Sequence, residues 1–138
     1  MIRAVVDTNV YVSALVFGGK PAAVLQLAEA GAFQLVASEG IREELVATLT
    51  EKFGWSKDRA ERAGRELWDR ACWVAPPQDV HVSRDPDDDF ILACALELQA
   101  AFVISGDLDL LALRSFQDVA IVTPAAFLAR IARELGRR

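Results

Sequence analysis

Five acidic side chains stand where a fold can gather them: Asp7 after an apolar run, Glu44 inside a helix-like segment, Asp88 at the opening of another, and Asp107 and Asp109 after a second apolar run. Carboxylates brought together without a counter-charge repel and raise one another's pKa values, so keeping several ionised at neutral pH takes a cation among them. Oxygen donors favour a hard ion, and the expected cofactor is Mg²⁺ or Mn²⁺, as one or two ions. Such ions place positive charge where a phosphate sits and lower the pKa of a bound water.

Each position also has a plainer reading. Asp7 follows Ile2-Arg3-Ala4-Val5-Val6 and precedes Thr8-Asn9-Val10, where it is either a ligand at a strand end or the N-cap of the next helix. Asn9 is a supporting candidate, as a further oxygen ligand or to orient Asp7. In Asp85-Pro86-Asp87-Asp88-Asp89, a cap at Asp85, a first-turn proline and acids favoured by the helix dipole account for one or two carboxylates, not four. The following Phe90–Leu96 run is apolar nearly all round, and a buried helix holds its first-turn acids rigidly. In Ser105-Gly106-Asp107-Leu108-Asp109, one acid caps a short helix while the other ligates, and Ser105 either bonds a phosphate or a bound water or satisfies a turn. Ile41, Leu45, Leu49 and Phe53 mark a buried stripe; Glu43 and Glu44 both flank it, and periodicity does not choose between them.

These groups need elements to position them. Strand-like runs occur at Ile2–Val6, Gln34–Ala37, Phe102–Ser105 and Val119–Val122, with a weaker one near Cys72–Val74. Between them lie helix-like segments at Tyr11–Phe17 and Ala22–Ala30, broken by Gly18-Gly19-Lys20-Pro21. Further helices are expected from a Ser38 cap to Phe53, from a Ser56 cap to about Ala71, over Asp87–Ala100, and after Thr123-Pro124. Short apolar strands alternating with helices imply an α/β fold with a parallel sheet covered on both faces. Ligands collect at the carboxyl ends of such strands, where Asp7 and Asp107 fall.

The 138 residues and 53% hydrophobic composition suit a single domain over 1–138 with one core. Pro76-Pro77-Gln78-Asp79 reads as a connector. A net charge of −5 excludes a protein that coats nucleic acid electrostatically, yet two divalent ions would bring it to about −1. The start, Met-Ile-Arg-Ala-Val-Val-Asp, enters a strand at once without the pattern of a signal peptide, and no apolar stretch spans a bilayer. A cytoplasmic chain with no membrane partner is expected. Cys72 and Cys94 lack zinc-like spacing and read as buried free thiols.

The segments Val-Val-Asp-Thr-Asn-Val, Glu-Leu-Val-Ala-Thr-Leu, Asp-Pro-Asp-Asp-Asp-Phe-Ile-Leu-Ala-Cys-Ala and Phe-Val-Ile-Ser-Gly-Asp-Leu-Asp-Leu-Leu, in this order, resemble PIN-domain proteins of the VapC-like toxin type. The resemblance runs through nearly the whole chain. It implies a three-layer α/β/α sandwich with a central, mainly parallel sheet, and a metal-dependent endoribonuclease. Carried over by position, it implies catalytic and metal-holding roles for Asp7, Glu44, Asp88 and Asp107, with Asp109 as a frequent additional metal ligand; the acidic run leaves Asp88 or Asp89 open. Ser105 stands where the family often has threonine. The implied partners are an RNA substrate and a cognate antitoxin protein, one of whose arginines meets the carboxylates; apolar surface on the first helices offers a homodimer.

Arg59, Arg62 and Arg65, and Arg130, Arg133, Arg137 and Arg138, read first as solvated helix faces laced with ion pairs and second as RNA-steering patches. His81 has no evident partner. Trp55, Trp68 and Trp73 read as core or dimer-interface residues. Two rival functions remain: a PIN scaffold that binds RNA or protein without cutting, and an aspartyl-phosphate phosphotransfer protein. The second lacks both a second aspartate after Asp7 and a lysine after a later strand, since Lys20, Lys52 and Lys57 are the only lysines.

Overall fold

The computed structural model describes residues 1–75 and 86–136. Asp85, His81, the Pro76–Asp79 connector, Arg137 and Arg138 lie outside the described residues. Six strands form one sheet: β1 (Arg3–Val6), β2 (Gln34–Ala37), β3 (Cys72–Trp73), β4 (Phe102–Ile104), β5 (Ser115–Phe116) and β6 (Val119–Val122). Their order is β3-β2-β1-β4-β6-β5, parallel throughout except for the antiparallel β5–β6 pair. Helices α1 (Thr8–Val16), α2 (Gly19–Glu29), α3 (Glu39–Phe53), α4 (Lys57–Arg62), α5 (Arg65–Arg70), α6 (Pro86–Glu97), α7 (Leu108–Leu113) and α8 (Pro124–Gly136) connect and flank the strands. The α/β class expected from the alternation of strands and helices is the observed one.

Beyond β1 the chain builds outward through β2 to β3, then returns to place β4 on the other side of β1. This reversal opens a crevice at the carboxyl ends of β1 and β4. The two ends are level: Val6 pairs with Ile104, and the Asp7 amide donates to the Ile104 carbonyl at 2.9 Å. Val5, Val6, Val103 and Ile104 are fully buried, which makes this pair the rigid floor of the crevice.

The helix starts follow side-chain chemistry. Ser38 accepts from the Ile41 amide and Ser56 from the Arg59 amide, each as an N-cap; Thr123 accepts from Ala126 at 3.1 Å. Helix α6 buries Ile91, Leu92, Ala93, Cys94 and Ala95, packs on β1, β2 and β4, and gains about 1.5–3 kcal/mol from each large apolar side chain it removes from water. Gly18, at φ 83°, turns the chain between α1 and α2, which meet at 104°. Among the described residues no single helix is long and apolar enough to cross a membrane.

Several local expectations are corrected. Helix α1 starts at Thr8 rather than Tyr11, and α2 at Gly19, taking Pro21 into its first turn where no amide is missed. The helix after Ser56 breaks at Ala63 and Gly64 into α4 and α5; a Cβ at residue 64 would lie 2.7 Å from the Trp68 indole, so the glycine admits the ring. Strand β5 was not expected. Cys94 is a buried free thiol, but Cys72 is only half-buried on the edge strand β3. Its pKa raised to about 11, Cys94 owes the shift to burial first, against a lowering hydrogen bond with Ser38 and a raising effect of Glu97. Of the tryptophans, Trp68 is core, Trp55 lies half-buried 3.8 Å beneath the Arg59 guanidinium, and Trp73 is 38% exposed. Ion pairs Arg62–Asp58 and Lys57–Glu61 lace the outer face of α4, the plainer of the two arginine readings.

Candidate metal and nucleic-acid cleft

A cleft of about 390 Å³ opens at the β1/β4 crevice and is lined by Asp7, Glu44, Asp87, Asp88 and Asp107 among its polar groups. Four separate chain segments thus bring their acids to one place. Asp7 sits at the N-cap position of α1, yet its side chain makes no capping bond. Instead its Oδ2 accepts a 2.7 Å hydrogen bond from Ser105 Oγ, while Ser105 Oγ accepts from the Asp107 amide at 2.9 Å. Ser105 is fully buried, so one hydroxyl ties the loops that follow β1 and β4.

Asp107 caps α7, accepting from the Asp109 and Leu110 amides through Oδ1 at 2.7 and 3.4 Å. One cap and one ligand were expected of this pair; the capping acid, Asp107, is also the one that lines the cleft, and Asp109 is exposed and does not line it. Asp88 is 4% exposed and lines the cleft; Asp89 is buried but is not among the lining residues, whereas Asp87 is. Asn9 also lines it.

The ambiguity on α3 resolves by side. Glu44 faces the cleft, where Thr8 Oγ1 donates to its Oε2 at 3.3 Å. Glu43 lines a separate groove with Arg42, Val46 and Trp55. The buried stripe ends earlier than expected, since Phe53 is 39% exposed and turns into the cleft mouth. There it meets Phe17, which is 77% exposed, edge to face at 6.1 Å.

Sequence reasoning missed Ser13, Phe17, Thr48, Lys52 and Phe53 as cleft residues. Helical spacing was the available signal: Ser13 and Phe17 follow Asn9, and Thr48 and Lys52 follow Glu44, in steps of four. Phe17, the C-cap of α1, is also the one large apolar side chain left exposed between residues 8 and 29.

The donor set is all oxygen, with no cysteine or histidine among the lining residues, and so fits Mg²⁺ or Mn²⁺ by type. In this conformation the donors share the cleft without forming a ligand group: among the described residues no three Asp, Glu, His or Cys side chains are arranged to hold a metal ion.

A family profile described as PIN domain matches residues 3–109, and the chain belongs to the PIN-domain family. The crystal structure of VapBC2 from Rickettsia felis bound to a DNA fragment from their promoter is similar in fold: TM-score 0.63 and 11% identity, covering 88% of this chain and 98% of that one. A UPF0337 protein of Pseudomonas aeruginosa is 50% identical over 36 residues, 26% of this chain. The match takes in about half of that relative, 55% of its length.

Proposed function

We propose that this chain is a metal-dependent endoribonuclease, the toxin of a toxin–antitoxin pair. The observation that carries the reading is the convergence of Asp7, Glu44, Asp88 and Asp107, from four segments, on one cleft at the carboxyl ends of β1 and β4. These four would hold Mg²⁺ or Mn²⁺, and Asp109 is left outside the set. A divalent ion bound there supplies Lewis acidity, lowering the pKa of a water and offsetting phosphodiester charge.

The chain's own residues do the positioning. Ser105 holds Asp7 against the β1/β4 floor, and Thr8 steadies Glu44. Lys52, the basic side chain among those lining the cleft, offers a charge to an RNA phosphate. Water attacks the phosphorus, the bond to the 3′ oxygen breaks, and the products carry a 5′ phosphate and a 3′ hydroxyl.

The antitoxin belongs to the same proposal. The resemblance to VapC-like toxins implies an antitoxin, the similar structure is of VapBC2 bound to a DNA fragment from their promoter, and an acidic cleft accepts an arginine from a partner segment through charge-assisted hydrogen bonds. A homodimer is its further element, tested by light scattering: twice the chain mass of 15.1 kDa supports it, and the mass of one chain removes it.

A PIN scaffold that binds RNA without cutting is the second reading, favoured by the absence of a ready ligand group among the described residues. One assay separates the two: cleavage of a mixed structured RNA with Mn²⁺ or Mg²⁺, with chelator, and with Asp7→Asn alongside. Cutting that needs both metal and Asp7 supports the nuclease; RNA binding without cutting supports the scaffold.

A further inference from the structure

Two stripes of side chains run along the cleft away from its carboxylates. On α1 and its C-cap, Asn9, Ser13 and Phe17 are spaced at four-residue steps; on α3, so are Glu44, Thr48 and Lys52. All six line the cleft, as side chains four apart share one helix face. The chemistry grades along both helices from acid and amide, through hydroxyl, to an aromatic ring and a cation. Phe17 lies ten residues beyond Asp7, or about 15 Å at the helical rise, and Lys52 about 12 Å beyond Glu44.

Phe17 and Phe53 meet at 80°, an edge-to-face contact that leaves ring faces open. Phe17 is 77% exposed, so its ring meets solvent in the same cleft that Lys52 lines. An open aromatic face next to a cation is what a nucleotide needs, the base stacking and the phosphate pairing.

We propose that the groove between α1 and α3 is a single-stranded RNA track, with Phe17 as the stacking platform for a base flanking the scissile bond and Lys52 as the contact to its phosphate. The proposal rests on the ribonuclease reading for the bond that is cut, but not for the binding itself. Stacking tolerates any base, because every base has a π-face; the track therefore holds RNA in register and leaves sequence choice to other contacts.

The test uses a short labelled oligoadenylate and the same ribose-phosphate backbone without bases, followed by fluorescence anisotropy with chelator present. Chelator prevents metal-dependent cutting, so binding is read apart from cleavage, and the carboxylates act alike on both probes. Phe17→Ala weakens oligoadenylate binding about five-fold or more and leaves the abasic backbone unchanged. Lys52→Gln weakens both probes and flattens the salt dependence. Thermal melting checks that each variant is folded, and the exposure of Phe17 makes its truncation harmless to the core.

Three results overturn the proposal: no binding of oligoadenylate by the parent protein, binding unaffected by Phe17→Ala, or equal losses on both probes. The second is the outcome if the rings instead seat a protein partner. Cleavage by the same preparation with Mn²⁺ is scored separately: cutting with Phe17-independent binding removes the track and keeps the nuclease, while Phe17-dependent binding without cutting does the reverse.

Discussion

Ser105→Ala removes one oxygen and two hydrogen bonds. The bond to Asp7 Oδ2 is short, 2.7 Å, and charge-assisted, a type that contributes about 1.5–3 kcal/mol. Asp7 is half-buried, so water recovers part of that value and the lower end applies. The Asp107 amide, which donates to Ser105 at 2.9 Å, loses its acceptor at an additional cost of about 1 kcal/mol, the low end for an orphaned donor that solvent reaches. The sum is about 2–3 kcal/mol, or roughly 6–12 °C in melting temperature for a chain of this size. Because the same hydroxyl ties the loops carrying Asp7 and Asp107, kcat for RNA cleavage falls about ten- to a hundred-fold, as expected of misplaced catalytic groups, with KM little changed. Ser105→Thr keeps the hydroxyl and retains most of the cleavage. The measurements are calorimetric melting and single-turnover cleavage on all three proteins. An alanine variant that melts within a degree of the parent and cuts at its rate refutes the bridge.

Three further outcomes follow from the geometry. Glu44→Gln lowers RNA cleavage at least about ten-fold while Glu43→Gln leaves it unchanged, since only Glu44 faces the cleft; equal effects on cleavage rate contradict the assignment. Gly64→Ala drives a methyl within 2.7 Å of the Trp68 ring and costs about 1–3 kcal/mol through overpacking, read as a lower urea midpoint; an unchanged midpoint means that the ring moves freely. Cys94, with its pKa raised from 9.0 to about 11, favours the folded state while protonated. That contribution is full below pH 9 and is lost as pH rises towards 11, so Cys94→Ala flattens the alkaline fall in melting temperature across this window; parallel curves for the two proteins refute it.

The crevice was legible because its parts are local. Val5-Val6-Asp7 and Val103-Ile104-Ser105 each place a buried run directly before polar residues, and two such strand ends in a parallel sheet lie at the same edge. The caps at Ser38, Ser56 and Thr123 were legible for the same reason, each side chain bonding an amide three residues on. What required the fold was relative orientation. Glu43 and Glu44 flank one stripe equally, and only the packing of α3 beside α1 directs one of them to Thr8. Phe53 continues the apolar stripe of α3 in sequence but lies past the end of its neighbours, where the ring meets Phe17 rather than the core. Strand β5 has two residues and a turn of Gln117 and Asp118 at φ 45° and 69°, conformations that neither residue type announces as Asn-Gly would. The division of α4 from α5 did have a signal, Gly64, whose purpose is visible only once Trp68 is seen against it.

The most direct test of the carboxylate cleft as a hydrolytic centre is the end chemistry of RNA fragments made with Mn²⁺ by the parent protein, with Asp7→Asn and a chelated sample alongside. The account predicts fragments bearing 5′ phosphates and 3′ hydroxyls that appear only with metal and only when Asp7 is present. Cyclic 2′,3′-phosphate ends, or cutting that survives the loss of Asp7 or of metal, would contradict it.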